Sequence, residues 1–266
     1  MPDDKGKLEI VFQPAQMPVV AEVHFQGNSA ISGPVLQQAV GPTAVGAIYT
    51  EERFRQVLDR TVRPAYEALG RLRAAFSRIE TRPASGVKGL AVTVHVVEGE
   101  QYKLNAVRLT GPVADDKSLM KAGGFALNAV VNMKAVDEGT DRIERVLKKR
   151  GYLSARSVVE RKLDDGAKLV DLAIEVDPGP QYKMGTLTIE GLDIQTEPHI
   201  RKMWALKPNQ PFDAEYPDAF VAQMPEVLDN LGKTRAAVNP DSGTLKVDVV
   251  LLFTAPEKKK PNSPTP

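Results

Sequence analysis

Glu98-Gly-Glu-Gln-Tyr-Lys-Leu-Asn-Ala-Val-Arg-Leu-Thr-Gly111 returns further along the chain as Asp177-Pro-Gly-Pro-Gln-Tyr-Lys-Met-Gly-Thr-Leu-Thr-Ile-Glu-Gly191. Gly99, Tyr102 and Gly111 meet Gly179, Tyr182 and Gly191 at a constant spacing of 80 residues. A shorter copy, Val20-Ala-Glu-Val-His-Phe-Gln-Gly27, lacks the leading Gly and Tyr, and its Gly27 stands 84 residues before Gly111. Self-similarity at this period marks a chain made of small repeated units.

A second set of positions repeats independently. Gly70, Gly151 and Gly232 are 81 residues apart, and each follows an apolar stripe. The stripes are Val62, Ala65, Tyr66 and Leu69; Ile143, Val146 and Leu147; Met224, Val227, Leu228 and Leu231. Spacings of three and four put each set on one face of a helix. A glycine behind such a stripe suits a left-handed C-cap, where a Cβ is unfavourable. Thr50, Asn132 and Asp213 recur near the expected starts and are good N-cap types.

Each repeat closes on alternating residues, the pattern of a strand covered on one side. Leu90, Val92, Val94 and Val96 alternate with Ala91, Thr93, His95 and Val97; Leu172, Ile174 and Val176, then Val247, Val249 and Leu251, behave alike. Opening strands at Val23 and Phe25, Val107 and Leu109, and Leu187 and Ile189 point inward by the same rule. Short helices are expected at 34–40, 117–122 and 198–205, and middle strands at 72–82, 154–163 and 234–238. Ser85-Gly86, Asp164-Asp165-Gly166 and Asp241-Ser242-Gly243 supply hairpin turns. The fold class that follows is α+β: three tandem βααββ modules, each a three-stranded mixed sheet with two helices on one face. Expected boundaries are 18–98, 99–177 and 178–255. Residues 1–17 form a leader or the remnant strand of a preceding module (Lys7-Leu-Glu-Ile-Val-Phe12), and 256–266 a Pro-rich disordered tail. Pro64, Pro217 and Pro225 fall within expected helices, where an interior proline costs about 3 kcal/mol.

Composition narrows the function. With 35 basic and 34 acidic residues the chain lacks the cationic excess of a nucleic-acid binder, apart from Lys258-Lys259-Lys260. No cysteine is present, which removes disulfides and thiolate metal sites. The longest apolar run, Val247–Phe253, is far short of the roughly 20 residues of a membrane helix. Residues 1–7 lack the apolar segment of a signal peptide, so none is expected in this numbering.

The module order, the Glu/Asp-Gly-x-x-Tyr junctions and Lys149-Arg-Gly-Tyr152 resemble the polypeptide-transport-associated (POTRA) family over residues 18 to 255. Members form tandem periplasmic arms ahead of outer-membrane β-barrels that insert or secrete proteins; here the arm is expected without the barrel. The resemblance implies a non-catalytic, chaperone-like scaffold of the periplasm, associated with the outer membrane. Its partners would be unfolded outer-membrane proteins or assembly-complex subunits, and it would reach the membrane only through a partner or a missing barrel. An alternative is a structural module of another envelope complex, such as cell division, with one fixed partner. Neither nucleic acid, small-molecule substrate nor cofactor is expected.

No catalytic or metal constellation can be assembled. His24, His95 and His199 read as isolated surface residues, and Glu51-Glu52, Asp115-Asp116 and Asp164-Asp165 as helix-start and turn residues. Binding is expected at a sheet edge, where unpaired main-chain groups accept an extended chain. In the family the strand after the helix pair lies at that edge. The candidates are therefore Ala155, Arg156, Ser157, Val158, Val159, Glu160, Arg161 and Lys162, with Arg73, Ala75 and Arg78 in the first repeat. The opposing reading makes the charged members gatekeepers against pairing. Tyr102 and Tyr182 are expected to pack one module on the next.

Overall fold

A computed structural model describes residues 17–228 and 232–254. The expected strand at 7–12, Leu231 of the third stripe, the lysine run and the tail lie outside the described residues. Three separate three-stranded sheets are present. The first contains β1 (Val20–Gln26), β2 (Ala75–Pro83) and β3 (Leu90–Val97); the second β4 (Lys103–Thr110), β5 (Arg156–Asp164) and β6 (Leu169–Asp177). The third contains β7 (Lys183–Glu190), β8 (Thr234–Asp241) and β9 (Lys246–Phe253). The spatial orders are β1-β3-β2, β4-β6-β5 and β7-β9-β8. In the first and third sheets the opening strand runs parallel to the central one and the middle strand antiparallel. The closing strand is thus central, which is why it carries the densest β-branched run.

Seven helices lie among the described residues: α1 (Gly33–Ala44), α2 (Glu51–Thr61), α3 (Arg63–Ala68), α4 (Lys117–Gly123), α5 (Met133–Lys149), α6 (Thr196–Met203) and α7 (Tyr216–Val227). The apolar stripes face the sheets. Leu36, Leu58 and Tyr66 join Val92 and Val94 in the first core. Leu119, Ile143 and Leu147 join Ile174 in the second, and Ile200, Phe220 and Met224 join Val249 and Leu251 in the third. Truncating any of these aliphatic side chains to Ala would cost about 2–5 kcal/mol.

Prolines account for the departures from uniform repeats. The second helix of the first repeat breaks at Val62, and Pro64 stands in the first turn of α3, where a missing N–H costs nothing. Pro217 is likewise in the first turn of α7. The Asp213 carboxylate accepts the Glu215 N–H at 3.0 Å, so the expected cap residue organises this start although α7 begins at Tyr216. Pro225 sits two residues from the end of α7 and cannot donate to the Val221 carbonyl; the Thr234 hydroxyl does so at 3.4 Å. On β3 the expected wet face is covered at its start, where Ala91 is 2% and Thr93 9% exposed between the flanking strands, while Val97 at its end is exposed.

By contact, the chain forms two compact units. One takes the described residues through Lys103 with Asn128–Lys134 and Asp165–Leu169; the other takes Leu104–Leu127, Ala135–Asp164 and the described residues from Val170 on.

Candidate functional site

Among the described residues, sheet order leaves β2, β5 and β8 each with one open edge. Ala75 begins β2 and is exposed; Arg78 is exposed and pairs with Glu80 at 2.9 Å. Arg73 lies before the strand, with its guanidinium on Asp165. In the second sheet Ala155 is buried just before β5, while Arg156, Val158, Glu160, Arg161 and Lys162 are exposed. Ser157 and Val159 are half-buried, and Val159 packs against the second core. Arg156 pairs with Asp177 at 2.8 Å.

The three edges differ in what their main chains offer. Ala84 N–H donates to the Gly89 carbonyl at 2.9 Å, so by antiparallel alternation the next outward-facing position on β2 is Pro83. On β8, Pro240 pairs opposite Val247 and must also face out, since it has no N–H for the ladder. Both edges are thus interrupted by proline, and β2 is further irregular between Phe76 and Arg78. The β5–β6 hairpin has the same turn as β8–β9, with Lys168 and Leu245 at φ of +56° and +53°. Aligning the two turns puts Leu163 at the place of Pro240, which turns the N–H groups of Leu163, Arg161, Val159 and Ser157 outward. No proline interrupts that row.

The opposite edges are partly occupied. Met184 N–H donates to the Gln210 carbonyl and Asn209 N–H to the Met184 carbonyl, and Gly46 N–H donates to the Val20 carbonyl. Side chains cover further carbonyls: Gln37 reaches Val23 at 2.8 Å and Arg201 reaches Leu187 at 2.9 Å.

The repeated Gly and Tyr positions meet at one motif. Tyr102 N–H donates to the Gly70 carbonyl at 2.9 Å, and Tyr182 N–H to that of Gly151 at 2.7 Å. The Tyr102 carbonyl accepts Val131 N–H, and that of Tyr182 accepts Phe212 N–H. Gln101 and Gln181 each donate to the carbonyl preceding the glycine. Gly70 and Gly151 have φ of +74° and +91°. A Cβ at Gly151 would also overlap the Tyr182 carbonyl oxygen.

Carboxylates serve structure. Asp116 accepts Ser118 and Leu119 N–H groups and the Arg150 guanidinium; the Ser118 hydroxyl first, then Arg150, hold its pKa at about 2. Asp165 accepts the Arg73 guanidinium and the Tyr102 hydroxyl, which lower its pKa. Burial pushes Glu98 upward, but hydrogen bonds from Ser29 and Ala30 and the Arg71 charge outweigh it and keep the carboxyl below its ordinary value. By sequence alone Asp165 reads as a turn residue, and the Glu98 cluster does not stand out. Its only signal was Glu98 at the head of the junction motif. His24 contacts Glu22 at 3.1 Å, His95 lies 3.3 Å from Glu80 and His199 is exposed. Among the described residues, no group of three or more His, Cys, Asp or Glu converges on a metal-sized site. No described helix is long and apolar enough to cross a membrane.

A family model described as "POTRA: Surface antigen variable number repeat" matches residues 18–99 and 102–179. The chain belongs to the POTRA family. Among curated proteins, the outer membrane protein assembly factor BamA of Buchnera aphidicola is 22% identical, with 94% of this chain and 43% of that protein covered. A putative outer membrane protein assembly factor of Treponema pallidum is 26% identical over 74% of this chain and 24% of its own length. The chain thus spans less than half the length of these relatives. The crystal structure of Haemophilus influenzae BamA POTRA3-5 shares the fold at a TM-score of 0.56 and 21% identity, covering 92% of this chain and all of that one. Three mixed POTRA sheets in sequence are therefore the architecture of the described chain.

Proposed function

We propose that this chain is a non-catalytic polypeptide-binding arm of outer-membrane protein assembly, working in the periplasm, and that β5 is its principal docking edge. Support for the setting comes from the assembly-factor relatives in sequence and from the BamA POTRA3-5 structure in fold. Support for the mode comes from β5: its outward N–H row lacks the proline found on β2 and β8. An extended client pairing there gains main-chain hydrogen bonds with little demand on its sequence. That suits a partner presenting many different unfolded strands, or one accessory subunit presenting a single strand. The flanking Arg156, Glu160, Arg161 and Lys162 then tune association rate and salt dependence more than affinity, because exposed ion pairs contribute at most about 1 kcal/mol. Tyr102 and Tyr182 act as the ties between successive modules, through the main-chain bonds they make to Gly70 and Gly151.

The test is proline scanning of β5 against binding of an unfolded outer-membrane polypeptide. Val159→Pro removes one outward donor but touches a side chain that packs on the core; Arg161→Pro removes the next donor from an exposed position. Both proline variants should lose binding while remaining folded by circular dichroism, and Val159→Ala and Arg161→Ala should retain it. A folded Arg161→Pro variant that binds as well as Arg161→Ala would rule out strand addition at β5.

A further inference from the structure

An open strand edge is a template for any extended chain of matching pattern, a second copy of the same protein included. The two sides of β5 differ. On the core side Ser157, Val159 and Leu163 are half-buried, and Val159 packs against the second core. On the other side Arg156, Val158, Glu160, Lys162 and Asp164 are exposed. An added strand therefore meets apolar side chains on one face and alternating charges on the other. Such a strand is present in this chain. In Lys7-Leu-Glu-Ile-Val-Phe12, Leu8, Ile10 and Phe12 alternate with Lys7, Glu9 and Val11. The segment lies outside the described residues and leads into β1 through residues 13–19. The two edges of the sheet nearest to it in sequence are interrupted. At the start of β1, Val20 N–H donates to the Ala47 carbonyl and Gly46 N–H to the Val20 carbonyl, and Gln37 covers Val23. The β2 row is broken between Phe76 and Arg78 and ends at Pro83.

Antiparallel pairing of this segment with β5 can be written residue by residue. Directly opposite residues put their side chains on the same face, and the outward amides of β5 belong to the residues whose side chains point to the core. Leu8, Ile10 and Phe12 must then stand opposite members of the row Leu163, Arg161, Val159 and Ser157. With Leu8 on Leu163, Ile10 meets Arg161 and Phe12 meets Val159. The exposed face then sets Lys7 on Asp164, Glu9 on Lys162 and Val11 on Glu160, with two opposite-charge pairs. Sliding the segment by two residues toward Arg156 puts Lys7 on Lys162 and Glu9 on Glu160, two like-charge pairs. Sliding it the other way sets Glu9 on Asp164. A slide of four carries Phe12 past the start of β5 to Ala155. Like charges directly opposite destabilise a ladder, so one register stands out.

We propose that residues 7–12 of one copy add to β5 of a second copy as an antiparallel fourth strand, in that register. Donor segment and acceptor edge are different surfaces, so the contact is head-to-tail and links copies into open chains. One short strand pairs weakly, with a dissociation constant on the order of 1 mM, so β5 stays open at the micromolar concentrations of a client assay. The inference rests on the same open edge as the proposed function, with this chain itself as the occupant.

The full chain would be sedimented between micromolar and millimolar concentration, with amide exchange followed at both ends of the range. The mean mass should rise above that of one copy at the upper end, and Ser157, Val159 and Arg161 should gain protection there. Ile10→Pro removes a donor from the segment and leaves the three cores untouched; it should abolish both effects. Glu9→Lys should weaken association about fivefold, and Lys162→Glu added to it should restore the original strength. A chain that stays single at millimolar concentration, or association indifferent to Ile10→Pro, would overturn the pairing. So would protection gained on β2 or β8 in place of β5, or protection that does not depend on concentration and so places the segment on its own copy. No rescue in the Glu9→Lys, Lys162→Glu variant would overturn the register. Client binding at micromolar concentration should be unchanged by Ile10→Pro. Client binding at β5 without self-association would leave the proposed function standing and sink this inference, and self-association without client binding would do the reverse.

Discussion

The two glycine–tyrosine motifs share a backbone and one glutamine bond, and differ in how their tyrosine side chains are held. At Gly70 and at Gly151 a left-handed glycine ends a helical stretch, its carbonyl accepts a tyrosine N–H, and the tyrosine carbonyl accepts an N–H from the loop before the following repeat's second helix. Around Tyr102 the side chains add a closed cluster: the tyrosine is 1% exposed and its hydroxyl joins Arg73 on Asp165. Around Tyr182 the equivalent positions are Ser154 and Ser242, and the tyrosine is half-buried. There Glu215 instead draws Lys149 at 2.8 Å and Arg145 at 3.3 Å. The main-chain pattern carries the repeat, and the side chains decide how firmly each copy is tied.

Glycine substitutions should separate the copies most strongly. Gly151→Ala forces a Cβ into the Tyr182 carbonyl and a non-glycine residue to positive φ, and should destabilise by about 2–4 kcal/mol in denaturant unfolding. Gly70→Ala meets Val130 Cγ1 at 2.6 Å, a side chain that can move, and backbone oxygens at 3.0 and 3.1 Å. About 1–2 kcal/mol is expected there. Equal costs would show that strain at positive φ, not the carbonyl approach, sets the penalty. Next in size are the hydroxyls. Tyr102→Phe leaves Asp165 with Arg73 alone and should lower the unfolding midpoint, while Tyr182→Phe should not.

Helix starts give a smaller contrast. Asp116 caps α4, whereas Ser32 before α1 makes no side-chain cap bond. Asp116→Ala should cost about 1 kcal/mol at pH 7 and Ser32→Ala close to nothing. The Asp116 pKa is lowered in the folded chain, so its stabilisation is complete above the unfolded value near 3.8 and disappears as pH falls through about 2. Melts of the chain and of Asp116→Asn should therefore converge between pH 4 and pH 2, and a constant gap across that range would assign the effect to something other than this carboxylate.

Much of this fold could be read from residues alone. Glycines placed behind stripes at Gly70 and Gly151 gave both helix ends, and period-two runs gave the strands. Strand order was another matter: alternation says which face is buried but not which strand is central, and only the family resemblance suggested that β5 lay at an edge. Chain-distant pairings were also invisible. Asp165 satisfies every rule for a turn residue, and nothing local shows that it meets Arg73, 92 positions earlier.

Residue-resolved amide hydrogen exchange, with and without an unfolded outer-membrane polypeptide, bears most directly on strand addition at β5. Ser157, Val159 and Arg161 should exchange fast in the free chain and slow at least tenfold with client bound, while their inward-facing neighbours, already paired to β6, change little. Unchanged exchange at these three amides under saturating client, with protection appearing on α4 or α5 instead, would contradict it.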